Sequence, residues 1–241
     1  MAVTPDHELR RLQAVARDEE ELAVLVGRRQ AGEPLQYLEG TAAFGPFDLA
    51  VDERVLVPRP ETEGLWELAV SMADDPTVVV DLCTGSGALA IALASSFPNA
   101  RVIGTDLSED ALAVARVNGA SYAPKVEWRQ GDLFDALDPG LAGTVDLIVA
   151  NPPYVATSEW GRLPVDVRRE PRMALVSGPT GLEMLRRIAT ESPAWLRPQG
   201  IVVCEIGETQ GPDVWEMFSG FVSVRILPDL AGRDRYVVVG V

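Results

Sequence analysis

From residue 77 to its end, this chain alternates short apolar runs with stretches of helical periodicity, which constrains the fold more than any other feature. The apolar runs lie at Val78–Leu82 and at residues 101–105, 126–129, 145–149, 201–206, 221–227 and 235–241. Helical patterns separate most of them, at residues 86–97, 108–120, 180–196 (with a break at Pro193) and 213–218. Apolar strands joined through helices form a parallel sheet buried on both faces, because each crossover helix must cover the sheet it spans. Only the short turn Asp229-Leu230-Ala231-Gly232 separates the last two runs, so these pair antiparallel. The expected fold class is α/β: a doubly wound, mostly parallel seven-stranded sheet ending in an antiparallel hairpin.

Upstream, Leu9, Leu12, Val15, Ala16, Leu22, Leu25 and Val26 recur at helical spacing. They predict a helix over residues 6–31, broken near Arg17-Asp18 and ended by Gly32. A strand-and-turn stretch is expected over residues 37–57, and a helix starting at Glu61-Thr62-Glu63, where acids favour the helix dipole. The expected organisation is a helical segment over residues 1–33, a β-hairpin linker over 34–63 and one α/β domain over 64–241.

Asn151-Pro152-Pro153-Tyr154 follows the run over residues 145–150. Two prolines remove two N–H groups and fix two φ angles, so the strand must stop at Asn151. A planar amide, free carbonyls and an aromatic ring then stand at the strand end. They suit a flat NH₂-bearing group, either the amide of glutamine or the exocyclic amine of adenine.

The other strand ends also carry polar groups. Asp81-Leu82-Cys83-Thr84-Gly85-Ser86-Gly87 joins the first strand to its helix, and its glycines allow close backbone approach. Such a loop lies at the carboxyl edge of the sheet, where doubly wound folds bind ligands. Asp106 ends the second strand, roughly twenty residues on, where an acid accepts hydrogen bonds from ribose hydroxyls. Asp132 ends the third, placed to accept from an adenine amino group while Leu133 packs on the ring. A dinucleotide loop usually has a third glycine, and here that position is Ala90. The Asp-x-x-x-Gly opening and the closing hairpin suit S-adenosylmethionine better.

Charge and composition narrow the partners. The net charge is −15 and Lys125 is the only lysine. A duplex-binding protein neutralises phosphates from a basic face, so this balance favours a protein substrate over a nucleic acid. One histidine and two cysteines cannot build a Cys/His zinc site, and no metal is expected. No stretch is long enough to span a bilayer, and the opening Asp6-His7-Glu8 is unlike a secretory signal. The expected location is the cytoplasm.

At these residues the chain resembles the protein-(glutamine-N5) methyltransferases, whose best-known members modify bacterial peptide-chain release factors. Besides Asn151 to Tyr154, the resemblance rests on Gly32-Glu33-Pro34-Leu35-Gln36-Tyr37-Leu38 and Leu56-Val57-Pro58-Arg59-Pro60-Glu61-Thr62-Glu63. It continues through the Asp81 to Gly87 loop, Glu170-Pro171-Arg172-Met173-Ala174-Leu175, Glu205-Ile206-Gly207 and 229–235, and covers residue 32 to the end. About thirty residues stand where the family carries a multi-helix N-terminal domain, and Leu133 stands where some members have a larger aromatic.

The resemblance implies that Cys83, Thr84, Gly85, Ser86, Gly87, Asp106, Leu107 and Leu133 hold S-adenosylmethionine, with Asp81 and Asp132 beside them. It puts Thr62 and Glu63 near the cofactor's methionine end. Asn151 would touch both ligands, and Asn151, Pro152, Pro153 and Tyr154 would hold the glutamine, with Asn151, Pro152 and Tyr154 as the catalytic set. The segment 155–177, with Arg162, Arg168, Arg169 and Arg172, is a candidate substrate flap. Two other readings stay open: a nucleic-acid amino-methyltransferase, and a non-catalytic S-adenosylmethionine-binding regulator.

Overall fold

A computed structural model describes residues 4–241. Its centre is a seven-stranded sheet of β3 (Val78–Leu82), β4 (Arg101–Asp106), β5 (Glu127–Gln130), β6 (Val145–Ala150), β7 (Leu196–Glu205), β8 (Ser223–Pro228) and β9 (Asp234–Gly240). The strand order is β5-β4-β3-β6-β7-β9-β8. The first five strands run parallel, and β9 pairs antiparallel with both β7 and β8. The expected fold is therefore the observed one. Its central parallel strands are mostly apolar because both faces are covered, and every residue of β6 is buried, whereas the edge strand β5 (Glu127–Gln130) is polar and only half-buried.

The order reverses at β3, with β4 on one side and β6 on the other. The loops after β3 and β6 therefore diverge and leave a crevice at the carboxyl edge. Helices α4 (Pro60–Met72), α5 (Ala88–Ser96) and α6 (Glu109–Tyr122) belong to the first half of the sheet; α7 (Glu183–Glu191) and α8 (Gly211–Met217) belong to the second. Pro60 is the first residue of α4, where a missing N–H costs nothing.

The upstream segment forms helices α1 (Asp6–Val15) and α2 (Glu19–Gln30), parted at residues 16–18 as expected, with Asp18 capping α2 through the Glu21 N–H at 2.8 Å. Residues 35–39 correct the expected strand-and-turn stretch: they form a third helix, α3 (Leu35–Glu39). Leu35 and Leu38, three apart, turn together into a small core with Leu12 and Leu25, and Gly40, at φ +75°, ends the helix. The β-hairpin proper is β1 (Thr41–Phe44) and β2 (Phe47–Ala50). Asn118 of α6 stitches it to the domain: its side chain pairs with both backbone groups of Ala50 and donates to the Ser86 carbonyl.

A second correction concerns residue 196, expected at the end of a helix. It opens β7, pairing with Val145 before a bulge in which Gln199 adopts φ +71°. Burying Leu196 against the sheet core outweighs continuing the helix beyond Pro193, where a short 3₁₀ turn ends it.

Candidate active site

The carboxyl edge of β3, β4 and β6 opens into one cavity. Cys83, Gly85, Asp106, Leu107, Asp132, Leu133, Asn151 and Pro153 line it. Thr105, Ser108, Ala111 and Met184 complete the inner wall, and Val55, Leu56, Pro171, Met173, Ala174 and Val176 the outer one.

The loop after β3 is held from beneath. Asp81, fully buried, accepts from the Thr84 hydroxyl at 2.5 Å and the Ala90 N–H at 3.1 Å. Burial pushes its carboxyl up to about 7. Asp81 thus shapes the loop and does not line the cavity. Thr84 and Ser86 are buried in the loop beside it. A Cβ at Gly85 would meet nothing within 4 Å, so this glycine opens toward the cavity. Gly87 faces the other way, where a Cβ would lie 2.8 Å from Trp128. It is a packing glycine: the Trp128 indole fills the space left by Gly87, Gly104 and Gly119.

Asp106 accepts from the Gly85 N–H and the Ser108 N–H, each at 2.9 Å. It therefore ties the glycine loop to the end of β4. Burial pushes its carboxyl above the usual range, and these backbone N–H groups pull it back. Ser108 caps α6 through the Ala111 N–H. Asp132 stands at the rim, paired with Arg187 at 2.7 Å. Cys83 and Leu133 are two of the four non-glycine residues with positive φ among the described residues, at +59° and +52°. Strained backbone of this kind persists where the surrounding structure holds it for a purpose. A slot with apolar walls, an open glycine, and an acid at one end fits the adenosine of S-adenosylmethionine.

The fourth strand end completes the site. Asn151 and Pro153 reach the cavity, whereas Pro152 and Tyr154 do not line it. No backbone N–H among the described residues donates to the Pro152 or Pro153 carbonyl, so both remain free acceptors. The Asn151 Nδ2 donates to the Thr62 hydroxyl at 3.0 Å, which donates to Glu205 Oε2 at 2.9 Å. The Tyr154 hydroxyl donates to Glu205 Oε1 at 3.1 Å. The sequence marked Glu205 only as part of the Glu205-Ile206-Gly207 resemblance and gave it no role in the site; its other signal was an acid ending an apolar strand. Thr62 lies behind Asn151 and outside the cavity. Glu63, the next residue, lines a separate outer groove with Glu61, Glu67, Leu230 and Arg233. The structure does not bring Glu63 to the other site residues.

Segment 155–177 forms the outer wall. Its three single 3₁₀ turns, at Trp160–Arg162, Val167–Arg169 and Arg172–Ala174, are closed at the base by the bridge of Val155 to Val176. Buried Glu170 anchors it, accepting from the Val57 N–H at 2.9 Å and pairing with Arg59. The two Pro-rich motifs around Arg59 and Glu170 are thus partners, one clasping the other over the site. Of its arginines, Arg172 lies over the Trp160 ring and Arg169 donates to the Ala31 carbonyl, so these two hold the wall.

A mostly parallel seven-stranded sheet with a reversed terminal hairpin and this edge defines a class I S-adenosylmethionine-dependent methyltransferase. The family description "methyltransferase domain" matches residues 79–169. The chain is 43% identical over 220 residues to a release factor glutamine methyltransferase of Streptomyces coelicolor, covering 88% of this chain and 77% of the relative. It is 41% identical to one of Moorella thermoacetica, covering 94% and 84%. Among solved structures, a ribosomal protein L11 methylase from Lactobacillus delbrueckii subsp. bulgaricus superposes with TM-score 0.53 at 25% identity, covering 75% of this chain and 77% of that one. A methyltransferase from Pyrococcus furiosus shares the fold, with TM-score 0.60 at 19% identity, covering 92% and 96%. The chain belongs to the release factor glutamine methyltransferase family.

Proposed function

We propose that this enzyme transfers a methyl group from S-adenosylmethionine to the side-chain amide nitrogen of a glutamine in a peptide-chain release factor, in its Gly-Gly-Gln loop. The observation that carries this is Asn151: its amide nitrogen is held by Thr62 while the residue lines the same cavity as Gly85 and Asp106. The site residues are read as Cys83, Gly85, Asp106, Leu107, Asp132 and Leu133 toward the cofactor, and Asn151 to Tyr154 toward the glutamine.

An amide nitrogen is a poor nucleophile because its lone pair is delocalised into the carbonyl. When bound, the cofactor supplies an electrophilic methyl on a sulfonium. The protein's task is to aim the nitrogen. The Asn151 Oδ1, on the cavity wall, and the free carbonyl of Pro152, the next residue and just outside that wall, are read as the acceptors for the two N–H bonds of the substrate amide. That fixes the nitrogen, favours its pyramidalisation and points the lone pair at the methyl. Cys83, Gly85, Asp106 and Leu133 would hold the cofactor as it supplies the methyl and leaves as the neutral thioether, and the proton shed by the nitrogen would pass through the acceptor that holds it to solvent. Positioning of this kind recovers on the order of 7–11 kcal/mol of barrier. The outer wall, clasped by Arg59 and Glu170, borders the cavity and would limit the access of bulk water to the reacting atoms. Tyr154 stands behind the cavity wall, its hydroxyl tethered to Glu205, and supports the motif from there.

No helix among the described residues is long and apolar enough to cross a membrane, and the proposed location is the cytoplasm, where release factors act. A net charge of −15 disfavours polyanionic substrates. The test is label transfer from methyl-labelled cofactor to a purified release factor, to tRNA and to DNA in parallel. Label in the release factor alone supports the proposal; label in nucleic acid alone contradicts it.

A further inference from the structure

We propose that Glu205 and Thr62 are positioning residues that lock the Asn151 amide with its oxygen toward the cavity. The inference rests on the reading of Asn151 as the acceptor for a substrate N–H. It starts from Glu205, which ends β7 beside the end of β6 and is 1% exposed. A carboxylate only accepts hydrogen bonds. Both its oxygens are engaged by hydroxyls, from Thr62 and from Tyr154.

A hydroxyl has one proton. That of Thr62 is committed to Glu205, so Thr62 shows only lone pairs to Asn151. Of the two ends of the Asn151 amide, only the nitrogen can face it, and the 3.0 Å contact is that bond. The amide is planar, so fixing the nitrogen on Thr62 sends Oδ1 to the opposite side, into the cavity that Asn151 lines. The flipped amide would set its oxygen against the Thr62 oxygen, acceptor against acceptor. The direction of every proton in the chain thus follows from the carboxylate at its end. The same group holds Tyr154, so one buried acid sets two residues of the Asn151 to Tyr154 motif.

Burying a carboxylate is costly, and the structure offsets that cost locally. Burial, helped by Glu61, pushes the Glu205 carboxyl above the ordinary range, while the Thr62 and Tyr154 hydroxyls and the positive charge of Arg235 on β9 pull it back toward the ionised form that accepts both bonds. A glutamine at position 205 would keep the shape but present N–H groups to one hydroxyl, removing the directional logic. The fold also explains the Thr between two glutamates in Pro60-Glu61-Thr62-Glu63. On the first turn of α4, Thr62 alone turns inward, while Glu61 and Glu63 face the outer groove.

The test uses Thr62→Val, which keeps the shape without the hydroxyl, Thr62→Ser, which restores it, and Glu205→Gln. Affinity for S-adenosylhomocysteine and kcat on a release factor are measured for each. Leaving the Asn151 donor unpaired should lower kcat about tenfold to a hundredfold in Thr62→Val, with Kd essentially unchanged. Thr62→Ser should recover most of the loss, and Glu205→Gln should resemble Thr62→Val. In an Asn151→Ala background, Thr62→Val should cost nothing further, whereas a merely structural role would cost the same in both backgrounds. Orientation is also read without turnover. The Asn151 side-chain NH₂ signals, assigned by difference against Asn151→Ala, should exchange slowly in wild type and rapidly in Thr62→Val. Unchanged amide exchange in Thr62→Val, or an equal loss in the Asn151→Ala background, would overturn the proposal. A wild-type enzyme that methylates no glutamine would refute the proposed function, while the exchange measurement still decides the lock.

Discussion

Replacing Asp106 by alanine should weaken cofactor binding by far more than one hydrogen bond. The carboxylate has about four lone-pair sites. The N–H groups of Gly85 and Ser108 take two of them. Two remain, one on each oxygen, enough for both hydroxyls of a ribose. Hydrogen bonds to a charged group contribute roughly 1.5–3 kcal/mol each, so their joint loss is about 3–6 kcal/mol. That corresponds to about a 10²- to 10⁴-fold rise in Kd. The glycine loop also loses its tie to β4, which adds to the effect. Asp106→Asn keeps the volume but turns an NH₂ toward one of the two backbone N–H groups, so it should not rescue binding. Titration calorimetry with S-adenosylhomocysteine, on proteins of matched thermal stability, measures this. The pH dependence has a definite sign. Burial raises this carboxyl above its usual range, and protonation removes acceptors, so affinity should fall as pH drops through that raised value. Wild-type affinity in Asp106→Ala, or affinity rising on acidification, would remove Asp106 from the cofactor site.

Two further predictions concern the frame beneath the cavity. A Cβ at Gly104 would lie 2.7 Å from the Trp128 ring, so Gly104→Ala should cost about 1–3 kcal/mol of stability in urea melts, recovered in part by Trp128→Phe. Asp81 is fully buried with its carboxyl raised to about 7, so the folded state holds a proton that the unfolded chain releases at lower pH. Its contribution to stability is therefore complete below the unfolded carboxylate value of about 4 and is lost as pH rises through about 7, with a slope of up to about 1.4 kcal/mol per pH unit. In paired unfolding measurements, Asp81→Asn should flatten that slope; parallel slopes would contradict the assignment.

The parallel sheet was legible because it must be apolar on both faces, and runs such as Val78–Leu82 have no other soluble explanation. The glycine loop, Asp106 and Asn151 were legible because strand ends in such a sheet converge on one edge whatever the loops do. Helix α3 was not, since a single turn has too few residues to show a period, and only Leu12 and Leu25, far upstream, make Leu35 and Leu38 inward. The bulged start of β7 was hidden by Pro198 and Gly200, which read as an end rather than a beginning. Within the site, the resemblance marked Thr62 and Glu63 alike, yet successive helix residues point about 100° apart, so only one faces inward. The contact between Thr62 and Glu205 spans 143 residues and leaves no local trace in the sequence.

The central claim is that the cavity edge at Asn151 delivers a methyl group to a glutamine nitrogen. Tandem mass spectrometry of a release factor incubated with enzyme and S-adenosylmethionine tests it most directly. The account predicts a gain of one methylene mass, about 14 daltons, on the side chain of the Gly-Gly-Gln glutamine, a covalent change. The gain should be strongly reduced with Asn151→Ala and absent when that glutamine is replaced. An unmodified glutamine beside an active wild-type enzyme, or undiminished methylation by Asn151→Ala, would contradict it.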